Sequence, residues 1–169
     1  GQVRLAIGSA EANPTRLIAA VGTDSTVGNE PELPGPERLA ADEQGLVRRT
    51  EAAASAGAEL VVWNEAATMV WPDDEDAWQQ RLQSLAARLG IDLVAAYVVV
   101  LEAEPVRYEN KFVYIRSDGT IEHTYLKHEP VPGEPAVRGE GPMPVVNDGQ
   151  SSVGGAICYD YDFPRLGLA

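Results

Sequence analysis

The sequence predicts an α/β fold, and three observations carry that prediction. Short apolar runs that read as strands alternate with longer stretches of helical periodicity, the pattern of a sheet covered by helices. The run Asp92–Leu101 is apolar almost without interruption, as in a strand covered on both faces. Trp78, Leu82, Leu85 and Leu89 recur at the spacing of an amphipathic helix.

Taken in order, Val3–Ile7 reads either as a short strand of its own or as a leader, and Arg16–Val21 reads as a buried strand. Thr23–Pro36 is rich in Gly, Pro, Asn and Ser and reads as a loop. The periodicity predicts a helix over Glu37–Ala56: Leu39, Leu46, Val47, Thr50 and Ala54 share a face, and Gly57 suits its C-terminal cap. Glu59–Trp63 is a strand that stops just before Asn64-Glu65. The acidic run Asp73–Asp76 opens the next helix, where carboxylates favour the positive end of the helix dipole, and Gly90 closes it. After Asp92–Leu101, Lys111–Arg116 and Thr120–Leu126 flank Ser117-Asp118-Gly119 as a hairpin. Five prolines make Lys127–Pro144 a long irregular loop. Ser151–Cys158 reads as a last strand, with a helix starting near Phe163.

Composition excludes several classes. Hydrophobic residues make up 44% of the chain, enough for a packed core. A formal net charge of -13 repels phosphate backbones and anionic lipid, so no nucleic-acid partner is expected. The single cysteine, Cys158, makes neither an internal disulfide nor a multi-thiolate metal site. With two histidines besides, no metal site and no cofactor are expected. No apolar run reaches membrane-spanning length and no signal peptide opens the chain; its first residue, Gly1, implies a processed or trimmed start from which a membrane part has been removed or never existed.

Three residues combine into one chemistry. Glu65 follows one strand, Lys127 follows another, and Cys158 ends a third. Residues just past the carboxyl ends of strands line the crevice of an open α/β sheet, so like-running strands would make the three side chains converge. A thiol attacks a carbonyl as thiolate, a carboxylate takes its proton, and an ammonium holds the oxyanion that forms. The set suits acyl transfer.

The segments Trp63–Ala67 (WNEAA), Tyr125–Glu134 (YLKHEPVPGE) and Gly154–Pro164 (GGAICYDYDFP) resemble the three catalytic blocks of the nitrilase, or carbon–nitrogen hydrolase, superfamily. Tyr108-Glu109-Asn110 resembles that family's pattern upstream of the lysine, and the likeness runs from about Arg16 to the chain end. The resemblance implies an αββα sandwich, a thioester acyl-enzyme, and roles for Glu65 as base, Lys127 as oxyanion stabiliser and Cys158 as nucleophile. It also implies that Glu134 is a second active-site glutamate assisting the base.

Within the superfamily, the Trp before the glutamate and the loop ending at Glu134 most resemble apolipoprotein N-acyltransferases, which join such a domain to a membrane-embedded part and move a lipid acyl chain onto an amine. Departures are Asn64 where that group has proline, a loop one residue shorter before Glu134, and Asp160 in place of a glutamate. The family domain also continues well past its cysteine block, so the resemblance implies one domain over residues 1–169 whose C-terminal part is lacking, with a homo-oligomer or second chain covering the open sheet.

The resulting expectation is an enzyme acting on an amide or an acyl donor, lipid included, through a Cys158 thioester. It would be cytoplasmic as a soluble amidase, or membrane-attached and extracytoplasmic as an N-acyltransferase. The rival from another class is a non-catalytic or partner-binding remnant of the same fold. Among the remaining polar residues, His128 adjoins Lys127 and offers a Cys–His alternative. His123 lies on a strand, Asp160 and Asp162 shape the turn after Cys158, and Asp73–Asp76 are a solvated helix start. Trp63, Trp71 and Trp78 are expected in the core or at its rim.

Overall fold

The computed structural model describes residues 2–3, 15–23, 33–147 and 152–166. Its strands are β1 (Gln2–Val3), β2 (Ile18–Val21), β3 (Leu60–Trp63), β4 (Met69–Val70), β5 (Asp92–Ala103), β6 (Val106–Ile115), β7 (Ile121–Leu126), β8 (Val145–Asn147) and β9 (Ser152–Gly154). The helices are α1 (Pro36–Ser55) and α2 (Pro72–Leu89). Each helix starts on a proline, whose fixed φ suits the first turn and whose missing N–H has no partner there to lose. α2 carries Asp73, Asp74 and Glu75 in its first turn and ends at Gly90, which takes the left-handed conformation at φ 64.

One sheet runs in the order β1-β2-β3-β5-β6-β7, with β4 beside β5 off that path. β2, β3 and β5 are parallel; β6 reverses and β7 reverses again, so β7 runs with β3 and β5. The pleat divides the sheet's side chains between two cores. Val61, Trp63, Leu93, Ala95, Tyr97 and Val99 meet Leu46 of α1 and Trp78, Leu82 and Leu85 of α2. Leu60 and Tyr114 on the opposite face meet Val146 of β8, with Val153 of β9 alongside. The order of layers is therefore helices, large sheet, small sheet. Trp78 anchors the first core, its ring 4.3 Å from that of Tyr97 and 6.4 Å from that of Trp63. Among the described residues no helix is long and apolar enough to cross a membrane.

The predicted elements are present with shifted ends. β5 and β6 extend to meet each other in a hairpin across Glu104-Pro105, which turn chemistry alone did not reveal. β4 and β8 were not expected. β4 exists because β5 outlasts β3: Leu60–Val62 pair with Asp92–Val94, and the free upper half of β5 recruits Met69 and Val70 onto Val98 and Val99. The last strand stops at Gly154 rather than running to Cys158. Its partner β8 is preceded by Pro144, which has no N–H to continue the ladder, and a Cβ on Gly155 would stand 2.9 Å from the Phe112 ring. The helix expected from Phe163 is a short 3-10 turn, Pro164–Leu166, within the described residues. Arg4–Ile7 and positions 24–32 of the predicted loop lie outside them.

Candidate active site

Glu65 sits at the gap in the ladder of β5, between the end of β3 and the start of β4. The chain turns out of the sheet there through Ala66, at φ 50, a conformation that costs a residue with a Cβ about 1–3 kcal/mol. The pairing on both sides fixes the turn: Asn64 N donates to Val21 O and Ala67 N to Ala96 O.

Lys127 follows β7, at the same edge of the sheet as Glu65 because β3 and β7 run alike. Its backbone is held on both sides, with Lys127 N donating to Asn110 O and Gly139 N donating to Lys127 O, each at 2.8 Å. The loop beyond it is irregular but tied down: Tyr108 N donates to Pro135 O and Val137 N to Tyr108 O. Within that loop, Gly133 at φ 91 after Pro132 fits a type II turn, and Glu134 N closes it onto Val131 O.

These backbones bring three of the four expected side chains into direct contact. Lys127 Nζ donates to Glu65 Oε1 at 2.9 Å and to Glu134 Oε2 at 2.9 Å. The lysine is almost fully buried, while a third of the Glu65 side chain is accessible. Burial pulls the Lys127 ammonium down, but bonds and charge from Glu134 and Glu65 outweigh it and hold the ammonium above its ordinary value. Burial likewise pushes the Glu134 carboxyl up, and bonds from Lys127, Val131 N and Asn110 more than reverse this, leaving it below the usual carboxylate range. Both groups are thus fixed in their charged forms.

Cys158 opens a 3-10 turn, Cys158–Asp162, at φ 47, and its side chain reaches solvent. Cys158 and Glu65 line one cavity. Burial and the Glu65 charge push the thiol up, against opposing pulls from Lys127 and the Tyr159 N–H. The resting group is therefore a protonated thiol.

Two further residues complete the cluster. Asn110 Nδ2 donates to Glu65 Oε1 at 2.8 Å and to Glu134 Oε1 at 3.3 Å, and Tyr108 OH donates to Glu134 Oε1 at 3.2 Å. The Tyr-Glu-Asn pattern carried no role in the sequence. Its signal was period two: Asn110 lies between Tyr108 and Phe112 on one face of a strand, a buried amide where an apolar residue would be routine. His128 is buried with its ring 4.9 Å from that of Tyr125, and His123 lies on β7 opposite Tyr114. Asp162 is exposed and Asp160 fully buried. Trp63 and Trp78 are core and Trp71 is exposed. Glu75 departs from a solvated helix start: it accepts from Tyr97 OH and pairs with Lys111.

A cavity of about 250 Å³ lies beside Cys158 and Glu65, between the two sheets. Its walls are mostly apolar, among them Val62, Val94, Phe112, Val146 and Ile157.

The carbon-nitrogen hydrolase family model matches residues 17–169, nearly the whole chain. The chain belongs to the carbon-nitrogen hydrolase family. Solved structures of similar fold include an amidase from Nesterenkonia sp., with TM-score 0.64 and 22% identity, covering 88% of this chain and 57% of that one. A glutamate-to-glutamine variant of the amidase from Nesterenkonia sp. AN1, with the acetamide moiety of fluoroacetamide added covalently at its active-site cysteine, matches at TM-score 0.67 and 21% identity, covering 95% and 62%. A cysteine-to-alanine variant of that amidase in complex with butyramide matches at TM-score 0.60 and 22% identity, covering 80% and 56%. At these identities the likeness is one of fold, and the chain spans about three-fifths of the length of these relatives. No curated protein sequence matches the chain. Membership of the carbon-nitrogen hydrolase family agrees with the nitrilase-like fold that the motifs implied.

Proposed function

We propose that this chain carries the site of a cysteine-dependent amide hydrolase in which Cys158 is the nucleophile, Glu65 the general base and Lys127 the oxyanion stabiliser. The observation that supports this reading is the Glu65 carboxylate, which accepts from Lys127 Nζ and lines the same cavity as Cys158. As Cys158 Sγ adds to the amide carbonyl, its proton passes to Glu65, and the oxygen that becomes negative is stabilised beside Lys127. Collapse of the tetrahedral adduct breaks the C–N bond, and the leaving amine takes the proton from Glu65. The thioester left on Cys158 is opened by water, whose proton goes to Glu65 and then to the departing thiolate. Glu134 never meets the substrate in this scheme. It shares the Lys127 charge, so that the ammonium stays in place when Glu65 becomes neutral.

A second reading keeps the thioester and replaces water with an amine, giving an N-acyltransferase. The motif resemblance and the apolar cavity beside Cys158 favour it for an uncharged, aliphatic acyl group, lipid-derived acyl chains included. The test common to both is to incubate the protein with short and long aliphatic amides and esters, then measure intact mass and map the adduct. An acyl group on Cys158, absent from Cys158→Ala, is expected. An adduct that persists in Cys158→Ala overturns the assignment, and release by hydroxylamine or glycine amide faster than by water favours transfer.

A further inference from the structure

We propose that Asp160 is a positioning residue that locks Cys158 and Lys127 into one geometry. The inference rests on the reading of those two residues as catalytic, but its observations are separate. Asp160 is 1% exposed, and both its carboxylate oxygens are fully engaged. Oδ1 accepts from His128 N at 3.1 Å and Glu129 N at 2.7 Å, the two residues that follow Lys127. Oδ2 accepts from Tyr125 OH at 2.9 Å and from Ile157 N at 3.1 Å, the residue that precedes Cys158. In return Asp160 N donates to Ile157 O at 3.0 Å, so the two residues close a ring with Cys158 at its apex.

That ring answers a question the fold raises. Cys158 has a Cβ and still sits at φ 47, where such residues persist only if their surroundings over-determine them. The bonds to Asp160 supply that constraint, and the same carboxylate reaches across to the chain beside Lys127. All four donors are neutral, so the bonds act by geometry, and four donors are what an ionised carboxylate accommodates. An amide in its place would offer one acceptor oxygen, and its NH2 would face N–H or O–H donors. Released from the ring, Cys158 would relax to negative φ and its sulfur would shift within the cavity it shares with Glu65.

The test reads the coupling between Cys158 and Glu65 and needs no turnover. The rate of Cys158 alkylation by iodoacetamide is measured against pH with and without E65Q, in four backgrounds: wild type, D160N, Y125F and Y97F. Y125F removes one bond to Asp160 and keeps the ring that packs on Phe112. Y97F is the matched control, a buried tyrosine hydroxyl that donates to the Glu75 carboxylate on the helix side of the sheet. In wild type, E65Q should speed alkylation at pH 7 by about tenfold, because removing a charge that holds the thiol up raises the thiolate fraction. In D160N the effect should fall to about threefold or less and in Y125F to an intermediate value, with Y97F unchanged. If D160N does not fold, Y125F against Y97F decides. Tenfold effects in all backgrounds, or no E65Q effect in wild type, overturn the proposal. Intact coupling without any acyl adduct on Cys158 overturns the functional reading and leaves the clamp standing.

Discussion

Lys127 Nζ lies 2.9 Å from Glu65 Oε1 although 62 residues separate the two. The contact is a product of topology. Two reversals, β5 to β6 and β6 to β7, return the chain to the direction of β3, so the residues following β3 and β7 leave the sheet at one edge. The lysine then stands between two acids. Glu65 and Glu134 together carry one charge more than Lys127 offsets, and Asn110 reduces the excess by donating to both.

Lys127→Met should therefore be a pH-dependent lesion. With the ammonium gone, burial is opposed only by the bonds from Val131 N and Asn110, so a carboxyl that the native site holds low should move up. A depressed carboxyl contributes stability present above its ordinary range and lost as pH falls through the depressed value. A raised one contributes stability present in acid and lost as pH rises through the raised value. The two proteins should thus differ most at neutral pH and converge only as pH falls through the depressed value. At pH 7 the loss should be about 3 kcal/mol, the low end for a broken buried pair because Glu65 is partly exposed. Urea unfolding at pH 7 and at about pH 3 measures it, and adding E134Q should recover part of the loss. A variant equally weakened at both pH values would count against this account.

Glu65→Gln should move two properties in opposite directions. Removing the carboxylate deletes the proposed base, so turnover should fall by about 10²–10⁴-fold. The thiol, raised by burial and by Glu65, loses the second influence, and its titration should move to lower pH. At pH 7 the variant should therefore react faster with iodoacetamide while hydrolysing amides more slowly. A fall in both rates would mean that Glu65 does not face the thiol.

Much of the fold and part of the site were legible in the sequence. Apolar runs and helical spacing marked β3, β5, β7, α1 and α2 because each buries a face of its own, and pattern reports burial. Two-residue β4 has no pattern to report; it exists only because β5 offers a free edge. The Ser151–Cys158 strand failed for a related reason: its apolar run suits a strand, but partner and ladder end together at Pro144 and Gly154. In the site, the charged residues at strand ends stood out against their neighbours. Asp160 did not, since a carboxylate two residues beyond a cysteine looks like any turn residue until its partners at positions 125, 128, 129 and 157 are known.

Gly139→Ala should damage the site through Lys127 without touching a charged group. The chain at Gly139 passes so close to β7 that a Cβ there would run into the Leu126 carbonyl and stand 2.9 Å from His128 Cδ2, the residues on either side of Lys127. Neither yields cheaply, the first being backbone and the second a ring buried against Tyr125. Gly139 N also donates to Lys127 O, so a shift that relieves the clash pulls on the lysine itself. Overpacking of this kind costs about 1–3 kcal/mol, and a displacement of about 1 Å at a catalytic group costs up to about 10²-fold in rate. Gly45→Ala is the natural contrast. Gly45 lies in the interior of α1, where an added Cβ meets Arg49 Nη1 at an ordinary 3.6 Å and alanine should gain up to about 1 kcal/mol in helix propensity. Thermal unfolding should separate the two substitutions by sign, and only Gly139→Ala should slow acylation of Cys158. If Gly139→Ala unfolds like the native protein and acylates at the native rate, the close approach at β7 does not constrain Lys127.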